Sequence, residues 1–183
     1  YANKEEGFVG TNLKKEDNAE LICECSDLSE IIVIHKDGKY VVTKVSEKAF
    51  FGKDILYVGL FDRNDQRTIY NVIYREGKTA ISYAKRFAVT SVTRDKQYDI
   101  TQGTPGSQIL WFTVNHNGEA ETVKIYFRQR AKLKKLIDEY DFSSLLIKGK
   151  ASRGNLVSKN PIQKIILKSK GASTIGGKDI WFD

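Results

Sequence analysis

The chain has 183 residues with 40% hydrophobic content, enough for a sizeable core and unlike the composition of a disordered chain. No stretch approaches the roughly 18 consecutive apolar residues of a membrane span, and no charged segment followed by an apolar run opens the chain, so a cytoplasmic protein with no membrane partner is expected. Thirty Lys and Arg against 23 Asp and Glu leave a net charge of +7, which favours a polyanionic partner only if the cations are organised in space.

The chain starts at Tyr1 and contains no Met, as expected of a piece of a longer polypeptide. In AELICECS, Cys23 and Cys25 fall on one face of a strand and read as two reduced thiols. Too few further ligands accompany them for a zinc site, so no metal is expected.

From there, strand, tight turn and strand recur four times. The copies are IIVIHKDGKYVVTKV (31–45), IYNVIYREGKTAISYAKRF (69–87), ILWFTVNHNGEAETVKIYF (109–127) and LLIKGKASRGNLVSKNPI (145–162). Asp37-Gly38 and Asn117-Gly118 are strong hairpin dipeptides, because turns that match strand twist need positive φ at their centre, and Glu76-Gly77 is a weaker version. The glycine-bearing loop from Lys148 to Asn155 is longer and presents an exposed tip. The intervening segments 49–61, 87–100 and 162–182 read as further strands, and the GKDI of 52–55 returns at 177–180. RQRAKLKKLIDEYDF (128–142) carries Leu133, Leu136, Ile137 and Tyr140 at helical spacing, yet its place in the repeat predicts a strand, with a short amphipathic helix as the competitor. TQGTPGS (101–107) reads as an inter-strand loop.

The marker glycines Gly38, Gly77, Gly118 and Gly154 recur at intervals of about 40 residues, the size of a propeller-type blade. Such a unit buries its faces only against neighbouring blades. The expected fold is therefore all-β, a propeller-like ring or open arc of about four four-stranded blades forming one domain over residues 1–183.

The inventory argues against catalysis. No phosphate loop or HExxH is present, and His35 and His116 flank turns, where a solvated polar residue is the ordinary reading. Tyr40, Tyr74, Trp111, Tyr126, Trp181 and Phe182 read as packing between strands and blades. Binding fares better. Lys44, Lys85, Arg86, Lys124 and Lys159 each follow a marker glycine by a few residues, so equivalent blades would align them along one perimeter. Arg128 and Arg130 in the third interval and Lys148, Lys150 and Arg153 in the broad loop add to that set. A row of cations one blade apart can follow a duplex backbone without reading bases. The rival from another class is a propeller-like protein-interaction module whose charge serves solubility.

GFVGTNLKKEDNAELICECSD, DGKYVVTKVSEKAFFGKDI, RTIYNVIYREGKTAISYAKRFAVTSVTRDKQYD and IKGKASRGNLVSKNPIQKI resemble the C-terminal domain of the A subunit of bacterial type IIA topoisomerases, across essentially the whole chain. The likeness is closer to the topoisomerase IV branch than to the gyrase branch, whose glycine-rich box QRRGGKG is not found in these residues. The resemblance implies a β-pinwheel whose basic rim bends double-stranded DNA beside the N-terminal cleavage domain of the same subunit. It implies no catalysis and no cofactor in this piece. The cleaving tyrosine lies in that N-terminal part, ATP and Mg²⁺ are bound elsewhere in the enzyme, the topoisomerase B subunit is a partner, and the location is nucleoid-associated.

Overall fold

The structure, a computed structural model, describes residues 1–130, 133 and 135–175. In chain order the first strands are β1 (Ala2–Asn3), β2 (Phe8–Val9), β3 (Glu30–His35), β4 (Lys39–Lys44), β5 (Ala49–Phe50) and β6 (Ile55–Phe61). Then come β7 (Ile69–Arg75), β8 (Ser82–Phe87), β9 (Gln97–Asp99), β10 (Gln108–Asn115), β11 (Thr122–Phe127) and β12 (Ile137–Asp141). The last are β13 (Ile147–Lys148), β14 (Asn155–Ser158) and β15 (Ile162–Ser169). Among the described residues the only helical turns are the 3-10 turns Lys15–Asp17 and Phe142–Ser144, so the all-β expectation holds. The chain divides into two compact units, Tyr1–Asn64 with Ser91–Ile100, and Asp65–Thr90 with Thr101 onward.

In the first unit, β3 and β4 form the expected hairpin. Gly38 takes φ +97° at its turn, and its N–H donates to the His35 carbonyl at 2.9 Å. The β3 run Ile31-Ile32-Val33-Ile34 is buried throughout, which is why it reads as unbroken apolar sequence: both of its faces are covered. One face packs Ile31 and Val33 with Ala2 and Val9 of the small sheet β1-β2-β5 and with Ile55 and Val58. The larger sheet has the order β6-β3-β4-β9, and β9 arrives from the segment that follows the second hairpin. Tyr40 and Tyr98 stack across this added pair, with ring centroids 5.6 Å apart. A clamp on Glu30 secures the same segment. Arg63 Nε donates to Glu30 Oε1 at 2.7 Å, Arg94 Nε donates to Oε2 at 2.9 Å, and Arg63 Nη1 donates to the Val92 carbonyl at 2.7 Å.

The second unit holds the sheet β10-β7-β8-β13, with β14 also on β8, and the sheet β12-β11-β15. The β7-β8 hairpin forms, but Gly77 does not supply its left-handed residue. Ala80 does, at φ +60°, while a side chain at Gly77 would meet the Pro105 carbonyl oxygen at 2.0 Å. The third copy is corrected. A turn closes at Gly118, yet β10 pairs with β7 while β11 pairs with β12 and β15, so residues 109–127 are not a hairpin. The physical reason is that Arg86 and Asn71 side chains bond the Gly118 and Glu119 carbonyls, and these bonds carry the chain across to the next sheet. The fourth copy is corrected likewise: β13 pairs with β8 in parallel and β14 pairs with β8 antiparallel, so the loop between them arches over β8.

Within 128–142 the strand reading holds for Ile137–Asp141, and the described residues before it have no regular structure. Of 87–100 only Phe87, the last residue of β8, and Gln97–Asp99 are strand. The second GKDI, Trp181 and Phe182 lie outside the described residues.

Candidate nucleic-acid interface

In the first unit, Lys44 is exposed at the end of β4, in register with Glu30 on β3. Added strand β9 covers β4 only from Lys39 to Val41, which leaves the Lys44 end open. Its neighbour carboxylate is already committed. The hydrogen bond from Arg63, reinforced by Arg94, holds the Glu30 carboxyl down at about 2.

The second unit separates its cations into buried and exposed sets. Successive strand residues face opposite ways, and on β8 both faces are covered. Ala84 and Arg86 share the face that meets the core of Ile73, Val123, Ile125, Phe127 and Phe142. Arg86 is 1% exposed. Its Nε donates to Asn71 Oδ1 at 2.8 Å, Nη1 to Thr174 Oγ1 at 2.9 Å, and Nη2 to the Gly118 and Glu119 carbonyls at 2.9 and 3.1 Å. Loss of hydration lowers the guanidinium's pKa, against which the nearby Glu121 carboxylate acts. Glu121 in turn accepts from Asn71 Nδ2 and from Trp111 Nε1, the latter at 2.9 Å. This is a satisfied polar network, the form in which a buried charge is tolerated.

Lys85 lies on the other face and is 2% exposed, beneath the loop between β13 and β14. Its Nζ donates to the Lys150 and Ser152 carbonyls, each at 2.8 Å, and sits 4.7 Å from the Phe87 ring centroid. The expectation that Lys85 and Arg86 line an exposed track is therefore corrected: both are enclosed by protein and bonded to it.

The other expected residues keep their charge near water. Lys148 and Arg153 are exposed at the two ends of the β13–β14 loop and Lys150 is half-buried between them. The Arg153 guanidinium lies 5.1 Å from the Tyr83 ring centroid. Arg128, Arg130 and Lys159 are exposed, and the Arg128 N–H donates to the Pro161 carbonyl at 3.0 Å, which brings Arg128 beside the segment carrying Lys159. Lys124 is half-buried on the open face of β11, opposite Glu139 and Ile166. The structure adds two cations to that sheet that the repeat did not single out. Lys164 stands opposite Tyr126 with its ammonium 4.8 Å from the ring centroid, and Lys168 pairs with Glu139 at 2.7 Å. The signal for them was the strand reading of 162–182, whose lysines needed counting by face.

Around these groups the described residues offer little that suits catalysis. His116 is exposed, as a turn residue should be, whereas His35 is half-buried and its Nε2 is buried without a hydrogen-bond partner. Cys23 and Cys25 are free thiols, and burial pushes the Cys23 thiol pKa up. Tyr40 and Tyr74 are core residues, and Trp111 serves the Glu121 network, in keeping with the packing role read for them. No helix among the described residues is long and apolar enough to cross a membrane.

Small antiparallel sheets with cations on loops and open strand faces have the make-up of a binding module for an anionic partner. The chain belongs to the topoisomerase C-terminal domain family, described for Bacteroidota, whose sequence model matches residues 1–170. It is also 24% identical over 169 residues to the A subunit of DNA topoisomerase 4 from Borreliella burgdorferi, a match that covers 92% of this chain. The chain spans 25% of the length of that relative. No solved structure matches the chain. Both matches bear out the likeness, read from sequence, to the C-terminal domain of a type IIA topoisomerase A subunit.

Proposed function

We propose that this chain is the non-catalytic, DNA-binding and DNA-bending domain of the A subunit of a topoisomerase IV. In this reading it holds a duplex segment beside the cleavage domain of the same subunit, working with the B subunit, where ATP and Mg²⁺ are used for strand passage. The sheets are blades of a β-pinwheel, and the protein acts in the cytoplasm at the nucleoid. The observation that carries the reading is the exposed cation set of the second unit, Arg128, Arg130, Lys148, Arg153 and Lys159, in a chain of the topoisomerase C-terminal domain family. The name of the Borreliella relative supports the topoisomerase IV branch.

The chemistry is that of phosphate contact. Long cationic side chains on loops reach backbone phosphates and release counterions, which gives affinity without sequence preference. Bending tens of degrees over 20–30 base pairs costs on the order of 1–6 kcal/mol, so several contacts act together. Ligation of nicked circles in the presence of the full-length protein tests this. Bending predicts a shift in the topoisomer distribution that vanishes when the five exposed cations are changed to Gln. A protein-interaction module predicts no shift and weak duplex affinity at physiological salt.

A further inference from the structure

Lys85 has the sequence position of a DNA contact and the environment of a structural strut. Its stem runs between Phe87 and the arching loop, and its ammonium bonds two of that loop's carbonyls, those of Lys150 and Ser152. Two neighbours act on the same loop. The Tyr74 hydroxyl donates to the Arg153 carbonyl at 2.6 Å. Gly154, at φ +93°, lets the chain lie so close to β8 that a side chain there would meet the Ala84 carbonyl oxygen at 2.4 Å. Lys85 and Tyr74 thus hold the carbonyls of Lys150, Ser152 and Arg153 inward, and Gly154 seats the end of the loop on β8. The negative ends of those peptide dipoles are neutralised under the loop, and Lys148 and Arg153 stand exposed above it.

We propose that Lys85 is a positioning residue for duplex binding: by fixing the carbonyls of the 148–153 loop it holds Lys148, Lys150 and Arg153 in one arrangement that meets backbone phosphates, without touching DNA itself. This rests on the reading that the loop contacts DNA. Holding the loop before binding removes the cost of ordering its long side chains from the binding step. The buried ammonium also adds positive potential beneath the contact surface.

The test is a double-mutant cycle on the full-length protein, with a mixed-sequence duplex as probe and affinity followed across salt concentrations. The triple variant Lys148→Gln, Lys150→Gln, Arg153→Gln removes the contacts, and Lys85→Met removes the strut. The triple variant is expected to lose affinity at least tenfold and to lose salt slope, at about 0.9 per phosphate contact. Lys85→Met alone is expected to weaken binding about three- to tenfold, the equivalent of ordering one or two side chains. Added to the triple variant it is expected to weaken binding no further. A role in stability alone would lower the unfolding midpoint and leave the folded protein's affinity intact. Tyr74→Phe, which deletes one anchor and keeps the packing, is expected to weaken binding in the same direction and serves if Lys85→Met does not fold. A triple variant that binds like the parent overturns the loop reading and the inference with it. A weakened triple variant beside parent-like binding of Lys85→Met and Tyr74→Phe overturns the inference alone. Fully additive loss overturns it too, because Lys85 would then be an independent contact.

Discussion

Lys44 on β4 and Lys85 on β8 follow the turn glycines of two similar hairpins, and they end in opposite environments. On β4 the added strand covers only the first half, so the chain is open where Lys44 stands. On β8 strand β14 covers Ser82 to Ala84, strand β13 covers Arg86 and Phe87, and the loop joining them closes over Lys85. All six residues of β8 are consequently buried. The difference teaches that a cation's role here is decided by how far the added strands extend along the hairpin. Where they stop short it faces solvent, and where they run through it becomes a bonded part of the interior.

Breaking the enclosed side of this comparison should have the largest effect. Arg86→Leu would leave the Gly118 and Glu119 carbonyls, Asn71 and the Glu121 carboxylate without their cation, at a cost of about 3–5 kcal/mol in urea unfolding. The Glu30 clamp is the half-exposed counterpart in the first unit. Glu30→Gln should cost about 1–2 kcal/mol, because the amide carries no negative charge for the two arginines and offers one acceptor oxygen where the carboxylate offers two.

The clamp also sets a pH dependence. The folded-state value of Glu30 is lowered to about 2, below the free carboxyl value near 4.3, so its stabilisation is fully present above that free value and is lost as the pH falls toward about 2. Melting temperatures measured across that acid range should fall more steeply for the parent than for Glu30→Gln. At the open end, Lys44→Ala should change stability by no more than about 0.5 kcal/mol. A large loss there would mean that the first hairpin is closed over in the way the second is.

The first hairpin is readable in the sequence because Asp37-Gly38 and the apolar run before it act locally. The third copy misleads for the complementary reason. Asn117-Gly118 does make a turn, but which strands pair on either side is settled by Arg86, Asn71 and Glu121, residues far apart in sequence. Alternation along SYAKRF gives no sign that both faces of β8 are covered, so Lys85 and Arg86 look like surface cations. The broad loop is legible from its glycines, and its Lys148 and Arg153 are exposed as expected. Lys164 and Lys168 escape notice because they follow no turn marker and show themselves only once β15 is placed beside β11.

The central claim is that the exposed cations of the second unit, and not the enclosed pair on β8, make the phosphate contacts. Its most direct measurement is the slope of log affinity against log salt for duplex binding by the full-length protein, compared between the parent and a variant with Arg128, Arg130, Lys148, Arg153 and Lys159 changed to Gln. A shallower slope is predicted in the variant, by up to about 0.9 for each contact removed, with affinity lowered evenly across DNA sequences. An unchanged slope and affinity would contradict it.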